Sequence, residues 1–189
     1  MSDLDTPLFR TINEALPEWL GYLFLGVTYL GSLPAVALWF GLIAVSVRKD
    51  RWLAMGYVTA TVALAMLANR LLKNAVGRLR PWLVLASVHS YGPLERDFSF
   101  PSGHSTVSFA LAVAVALWWP RARWPALALA AAVAFSRVVI GMHYPGDVIG
   151  GAVLGLIAAA ALFSWFDGRR RSMPTPLGTA RREDTDKEP

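Results

Sequence analysis

Cysteine is absent from the 189 residues, which excludes disulfides and thiolate metal sites and leaves the redox compartment unread. Charged side chains make up only 16% of the chain, against about 25% in ordinary soluble domains. The N-terminus, Met1-Ser2-Asp3-Leu4-Asp5, lacks the basic stretch that opens a cleavable signal peptide, so insertion through an uncleaved span is expected. No internal repeat occurs, and no group of carboxylates or histidines has metal-ligand spacing. No metal and no cofactor are therefore expected.

What the chain has in abundance is apolar residue, 55% of the total with a mean hydropathy of +0.43. Each crossing of a hydrocarbon core about 30 Å thick needs roughly 20 such residues. Apolar runs occur at 19–47 (interrupted at Pro34), 52–72, 103–119, 124–140 and 147–166. They predict an all-α, polytopic membrane bundle of about five spans, or six if a further N-terminal one exists. The first run is read as one span kinked at Pro34. Ahead of it, residues 5–16 set Leu8, Ile12 and Leu16 opposite Arg10 and Glu14, the spacing of an amphipathic helix on the membrane surface. Residues 1–166 are expected to form a single membrane-embedded domain, and the charged, proline-containing stretch 167–189 a disordered tail.

The chain is basic, with net charge +5 and pI near 10.0, but its cations sit at span ends rather than in a patch suited to nucleic acid. No nucleic-acid partner is expected. Arg48, Lys49 and Arg51, then Arg121 and Arg123, then Arg169 to Arg171 mark the cytoplasmic side, including the C-terminus. Alternation then places 73–101 and 141–146 on the extracytoplasmic side. The first of these also carries Lys73, Arg78, Arg80 and Arg96, which the charge rule leaves unexplained.

Three clusters fall on that side. The first, Lys73 to Pro81, ends the second long run; if the helix continues, Lys73 and Arg80 share a face and Pro81 stops it. Snorkelling to lipid headgroups accounts for two such cations as well as a binding site does. The second is Pro101-Ser102-Gly103-His104-Ser105 before an apolar helix. A Ser cap followed by Gly leaves backbone N–H groups free for an anion, although without His104 an ordinary capped helix would be the better reading. The third runs from Ser136 to Asp147. Arg137 sits near the end of an apolar helix, where a cation is costly unless an anion or water meets it. Pro145 suits the first turn of the next helix, which brings the Asp147 carboxylate within reach of His143. A carboxylate on one ring nitrogen fixes the tautomer and leaves the other as a lone pair able to attack phosphorus. Alone, such a pair is more often a structural hydrogen bond; three clusters on one side are a stronger signal.

These residues resemble the signatures of the type 2 phosphatidic acid phosphatase family. Lys-x6-Arg-Pro, Pro-Ser-Gly-His and Ser-Arg-x5-His-x3-Asp are matched at Lys73 to Pro81, Pro101 to His104 and Ser136 to Asp147 without departure, while the flanks resemble the family only in hydropathy. The resemblance implies a metal-independent lipid phosphatase. His143 would be the nucleophile, His104 the acid and then the base, and Asp147 the residue that orients His143. Lys73, Arg80, Arg137 and the backbone at Ser102 and Gly103 would hold the phosphoryl oxygens. Small bacterial members point first to undecaprenyl diphosphate, with phosphatidylglycerophosphate and phosphatidic acid behind it. They also point to the bacterial plasma membrane, with the site on the extracytoplasmic side. Trp82, Tyr91, Phe98, Phe100 and Tyr144 could grip the lipid chain, or form an interfacial belt. The rival from another class is a transporter or binding protein for an anionic lipid, which needs the cations but has no use for two histidines and an orienting carboxylate.

Overall fold

The computed structural model describes residues 4–32, 41, 51–118 and 120–172. Among them the regular structure is entirely helical: α1 (Asp5–Ala15), α2 (Glu18–Tyr29), α3 (Arg51–Val76), the short α4 (Pro81–Val84), α5 (Gly103–Trp118), α6 (Arg123–Val139) and α7 (Pro145–Ser172). A 3₁₀ turn at Pro120–Ala122 leads into α6. Trp52–Val84, Pro120–Val139 and Pro145–Phe163 are long and apolar enough to cross a membrane, and Gly103–Leu117 is apolar but shorter. The kink expected at Pro34 and the second half of the first span, apart from residue 41, lie outside the described residues. So do Arg48 and Lys49 and the tail beyond Ser172; α7 itself runs past the domain end expected at Phe166.

The bundle reverses the usual distribution of side-chain size. Large apolar residues such as Leu67, Leu71, Ile149, Val153 and Ile157 are exposed, whereas Ala54, Ala65, Ala110, Ala158 and Ala159 are buried. Lipid is as apolar as leucine, so helices gain by close packing at small residues rather than by hiding large ones. α5 lies at the centre, against α3, α6 and α7. Its approach to α7 depends on Gly151 and Gly155. A Cβ on Gly151 would lie 2.5 Å from the Ser102 carbonyl oxygen, and one on Gly155 2.3 Å from that of Thr106. This contact sets the N-terminus of α5 beside the first turn of α7.

α1 does not lie free on the membrane surface. Its buried stripe is Asp5, Phe9 and Asn13, not the Leu8 face, and Leu8 is half exposed. The Asn13 Nδ2 donates to the carbonyls of His89 (2.8 Å) and Val139 (2.9 Å), and its Oδ1 accepts from the His89 N–H. Polar residues two helical turns apart, Asp5 and Asn13, read as the solvent side of an amphipathic helix, yet here with Phe9 they are the docking face. What they meet, free backbone groups and an arginine, has no signature in α1 itself.

Candidate active site

α3 ends at Val76, because Gly77 takes the left-handed conformation (φ +62), a turn that favours glycine. Arg80 is therefore not on the α3 helix, and Pro81 begins the short α4 instead of stopping α3. The convergence expected of a continuous helix is made by a carboxylate: Asp97 binds Lys73 Nζ at 2.8 Å and also pairs with Arg80. Lys73, Arg80 and Arg137 are all buried.

α7 starts at Pro145, and Asp147 falls in its first turn. His143 precedes it in a tight turn, its N–H and that of Met142 donating to the Arg137 carbonyl. The imidazole is fully enclosed. Its Nε2 lies 3.2 Å from Arg80 Nη1. On the other side Nδ1 is 3.7 Å from Asp147 Oδ2, too long for the direct hydrogen bond expected of this pair. Ser99 fills the gap: its hydroxyl donates to Asp147 Oδ2 at 2.5 Å and lies 3.4 Å from His143 Nδ1. The partners assign the tautomer, with Nδ1 protonated towards Ser99 and the Nε2 lone pair towards Arg80. Burial, then Arg80 and Arg137, push the His143 pKa well below its ordinary value. The ring is neutral at physiological pH, the state a nucleophile requires.

Asp147 is fixed from two further directions. Its Oδ2 accepts the Tyr144 N–H at 2.9 Å, and its Oδ1 binds Arg78 Nη1 at 2.7 Å. Arg78 Nη2 reaches Asp5 of α1 at 2.7 Å, and its guanidinium lies 3.9 Å from the Tyr144 ring centroid. Asp5 in turn accepts the Gly146 N–H at 2.8 Å. Ser99, Arg78 and Asp5 are thus site residues that motif reading did not assign. Only Arg78, a surplus cation inside the first cluster, left a trace in the sequence.

Ser102 begins α5, its hydroxyl facing the Ser105 N–H at 3.4 Å and its own N–H donating to the Asp147 carbonyl at 3.0 Å. Asn69 of α3 steadies this start through the Pro101 carbonyl (3.1 Å) and Thr106 Oγ1 (3.0 Å). His104 is half-buried and opens onto a cleft of about 690 Å³ shared with Lys73, Glu95 and Asp97. The apolar part of the cleft is Met66, Leu67 and Val107. None of the five aromatic residues that could grip a lipid chain or form an interfacial belt lines it. Tyr144 packs on Phe9, Tyr91 on Tyr22, Phe98 near Gly77 and Phe100 near Gly150.

Glu95 and Asp97 are the largest surprise, because they place two carboxylates among the cations. Glu95 bridges Arg80 Nη2 (2.6 Å) and Arg137 Nη2 (2.5 Å). Burial alone would raise the Glu95 carboxyl, but Arg137 and Arg80 hold it down to about 2. Asp97, partly buried, is likewise held at about 2 by Lys73 and Arg80.

A buried neutral histidine beside three buried cations, behind two carboxylates that line a cleft of a helical bundle, is the kind of site that serves phosphoryl transfer. Residues 53–171 match the PAP2 superfamily, and the chain belongs to it. The chain is 29% identical over 168 residues to the bacitracin transport permease protein BcrC of Bacillus licheniformis, covering 86% of this chain and 80% of that protein. It is 41% identical over 112 residues to the lipid A 1-phosphatase of Rhizobium etli, covering 55% and 46%. With the undecaprenyl-diphosphatase BcrC of Bacillus subtilis it shares 32% over 111 residues, covering 59% and 57%. The crystal structure of Aquifex aeolicus LpxE superposes with a TM-score of 0.76 at 26% identity, over 85% of this chain and 94% of that one. That of the transmembrane PAP2 type phosphatidylglycerolphosphate phosphatase from Bacillus subtilis gives 0.68 at 25%, over 92% and 89%.

Proposed function

We propose that this integral membrane protein hydrolyses the terminal phosphate of a membrane lipid through a phosphohistidine on His143. The observation that carries the reading is the 3.2 Å approach of Arg80 Nη1 to the unprotonated Nε2 of His143. It puts the nucleophilic lone pair beside a cation suited to phosphoryl oxygens. In the first step Nε2 attacks phosphorus, the P–O bond to the lipid breaks, and His104 gives its proton to the departing oxygen. In the second, His104 takes a proton from water, the resulting hydroxide attacks phosphorus, and the P–N bond breaks to release phosphate. Asp147, through Ser99, stabilises the charge that develops on His143. Lys73, Arg80, Arg137 and the α5 N-terminus hold the oxygens, which gives cationic side chains the part that magnesium plays in other phosphoryl-transfer sites.

A cleft lined by Lys73 and His104 as well as by Met66, Leu67 and Val107 suits a substrate whose phosphate is solvated and whose tail stays in lipid. The undecaprenyl-diphosphatase of Bacillus subtilis supports undecaprenyl diphosphate as substrate, while the lipid A 1-phosphatase of Rhizobium etli and the phosphatidylglycerolphosphate phosphatase structure support lipid A and phosphatidylglycerophosphate as the lipids to set beside it. Residues 1–166 would form one catalytic domain with five spans in the bacterial plasma membrane. The site would face outward, with Arg121, Arg123 and the C-terminus in the cytoplasm. The deciding experiment is phosphate release from a panel of lipid phosphates by purified protein in detergent with EDTA. Release of phosphate that persists in EDTA is expected; loss with recovery on adding Mg²⁺ defeats the mechanism. Binding of the lipid without any release returns the protein to the transporter reading. A tag between residues 85 and 95 should be accessible from outside the cell and one at the C-terminus should not.

A further inference from the structure

The three buried cations of the site are already neutralised by two carboxylates, and the arrangement is lopsided. Lys73, Arg80 and Arg137 have side chains 7%, 0% and 3% exposed, while those of Glu95 and Asp97 are 34% and 42% exposed. The carboxylates therefore lie on the open side of the cations. Both belong to the irregular stretch between α4 and α5, and both line the cleft with His104. One donor in this cluster is left over: Arg137 Nε is buried and has no partner among the described residues. Lys73 and Arg80 keep backbone partners of their own, the carbonyls of Phe98, Asp97 and Met142. Removing the carboxylates would not release these two side chains.

We propose that Glu95 and Asp97 are internal stand-ins for the substrate's phosphoryl oxygens and act as specificity-determining residues. An incoming anion must displace them from Lys73, Arg80 and Arg137. The inference rests on the lipid-phosphatase reading of the same site and adds a selection rule to it. A terminal phosphate carries nearly two negative charges at neutral pH and can replace two carboxylates on three cations. The phosphodiester of a bulk phospholipid carries one, and leaves the displaced pair uncompensated. A site open to a membrane surface crowded with diesters would otherwise be occupied by them. Because both carboxyls are held near 2, neither leaves by protonation at physiological pH. Only a competing anion moves them. The same competition returns the carboxylates after hydrolysis and favours release of the product phosphate.

The test uses the full chain in mixed micelles and two probes, inorganic phosphate and phosphatidylglycerol, with extra detergent as the control for surface dilution. In Glu95→Gln the inhibition constant of inorganic phosphate is expected to fall about tenfold, since buried arginines without a counter-charge bind the competing anion more tightly. The thermal stabilisation that phosphate confers should grow in parallel. Excess phosphatidylglycerol should raise the apparent KM of the variant about fivefold and leave wild type near the detergent control. Glu95→Asp, which keeps the charge but shortens the bridge, should lie between the two and stands in if Glu95→Gln does not fold. An unchanged or weakened phosphate affinity in these variants overturns the inference. So does a tightened phosphate site that still ignores phosphatidylglycerol, because the selectivity is then not electrostatic. A wild-type protein that releases phosphate from no lipid defeats the proposed function instead, and the thermal measurement, which needs no turnover, still judges the inference.

Discussion

The carboxylate of Asp147 and the imidazole of His143 are joined through the hydroxyl of Ser99, which donates to Oδ2 at 2.5 Å and stands 3.4 Å from Nδ1. The direct separation is 3.7 Å. Ser99 is thus a positioning residue, and Ser99→Ala removes a hydrogen bond to a charged group worth about 1.5–3 kcal/mol. A loss of about 10- to 100-fold in kcat with little change in KM is expected. Asp147→Asn, which removes the charge as well, should cost on the order of 10⁴-fold. A Ser99→Ala enzyme with wild-type kcat would show that Asp147 reaches His143 without the serine.

The same carboxylate ties the N-terminal helix to the site through Arg78 and Asp5. Arg78→Lys keeps the charge but loses the fork that bridges two carboxylates and the fit over Tyr144. About a tenfold fall in kcat is expected. Asn13→Ala acts on α1 alone: it strips partners from two carbonyls and one N–H, and should lower stability by about 3 kcal/mol. If Asn13→Ala lowers the melting temperature while Arg78→Lys leaves kcat untouched, α1 is structural only.

Folding lowers the Asp97 carboxyl from 3.8 to about 2, so the stability its ionised form lends is fully present above about pH 5. That contribution is lost as the pH falls through the folded value. The melting temperature of Asp97→Asn should therefore lie below that of wild type near neutrality, and the gap should narrow steadily as the pH falls below 4. A gap that does not vary with pH would assign the loss to packing instead of charge.

Much of this site was legible because its chemistry is written in local spacing. Pro145 and Asp147 share one helix turn, Ser102 to His104 open another, and Arg137 closes a third, so short-range rules located them. Ser99, Asp5, Glu95 and Asp97 were not legible. Each acts on a partner far along the chain, and a serine in a loop or a glutamate in a polar stretch reads as ordinary surface. The Lys73 and Arg80 pair was placed for the wrong reason. The sequence suggests one continuous helix, but Gly77 ends it and Asp97 gathers the two cations. The aromatic residues named as lipid contacts or interfacial belt do not line the cleft, because aromatic composition near a membrane boundary cannot distinguish lining from packing.

The two histidines should separate by their dependence on the leaving group. His143→Ala removes the nucleophile, so every substrate loses nearly all turnover and no phosphoenzyme forms. His104→Ala removes a proton donor whose help is worth on the order of 10²–10⁴-fold when the departing oxygen leaves poorly. An aryl phosphate leaves without that help. Phosphoenzyme formation by His104→Ala, measured as a burst of phenolate, should be far less impaired with an aryl phosphate than with a lipid phosphate. Because His104 also activates the hydrolytic water, the same variant should accumulate acid-labile phosphohistidine at His143. The position of the two rings supports this division, since His143 is enclosed against Arg80 while His104 opens onto the cleft. An equal loss of the burst in both variants, or trapped phosphate that maps to His104, would reverse the assignment.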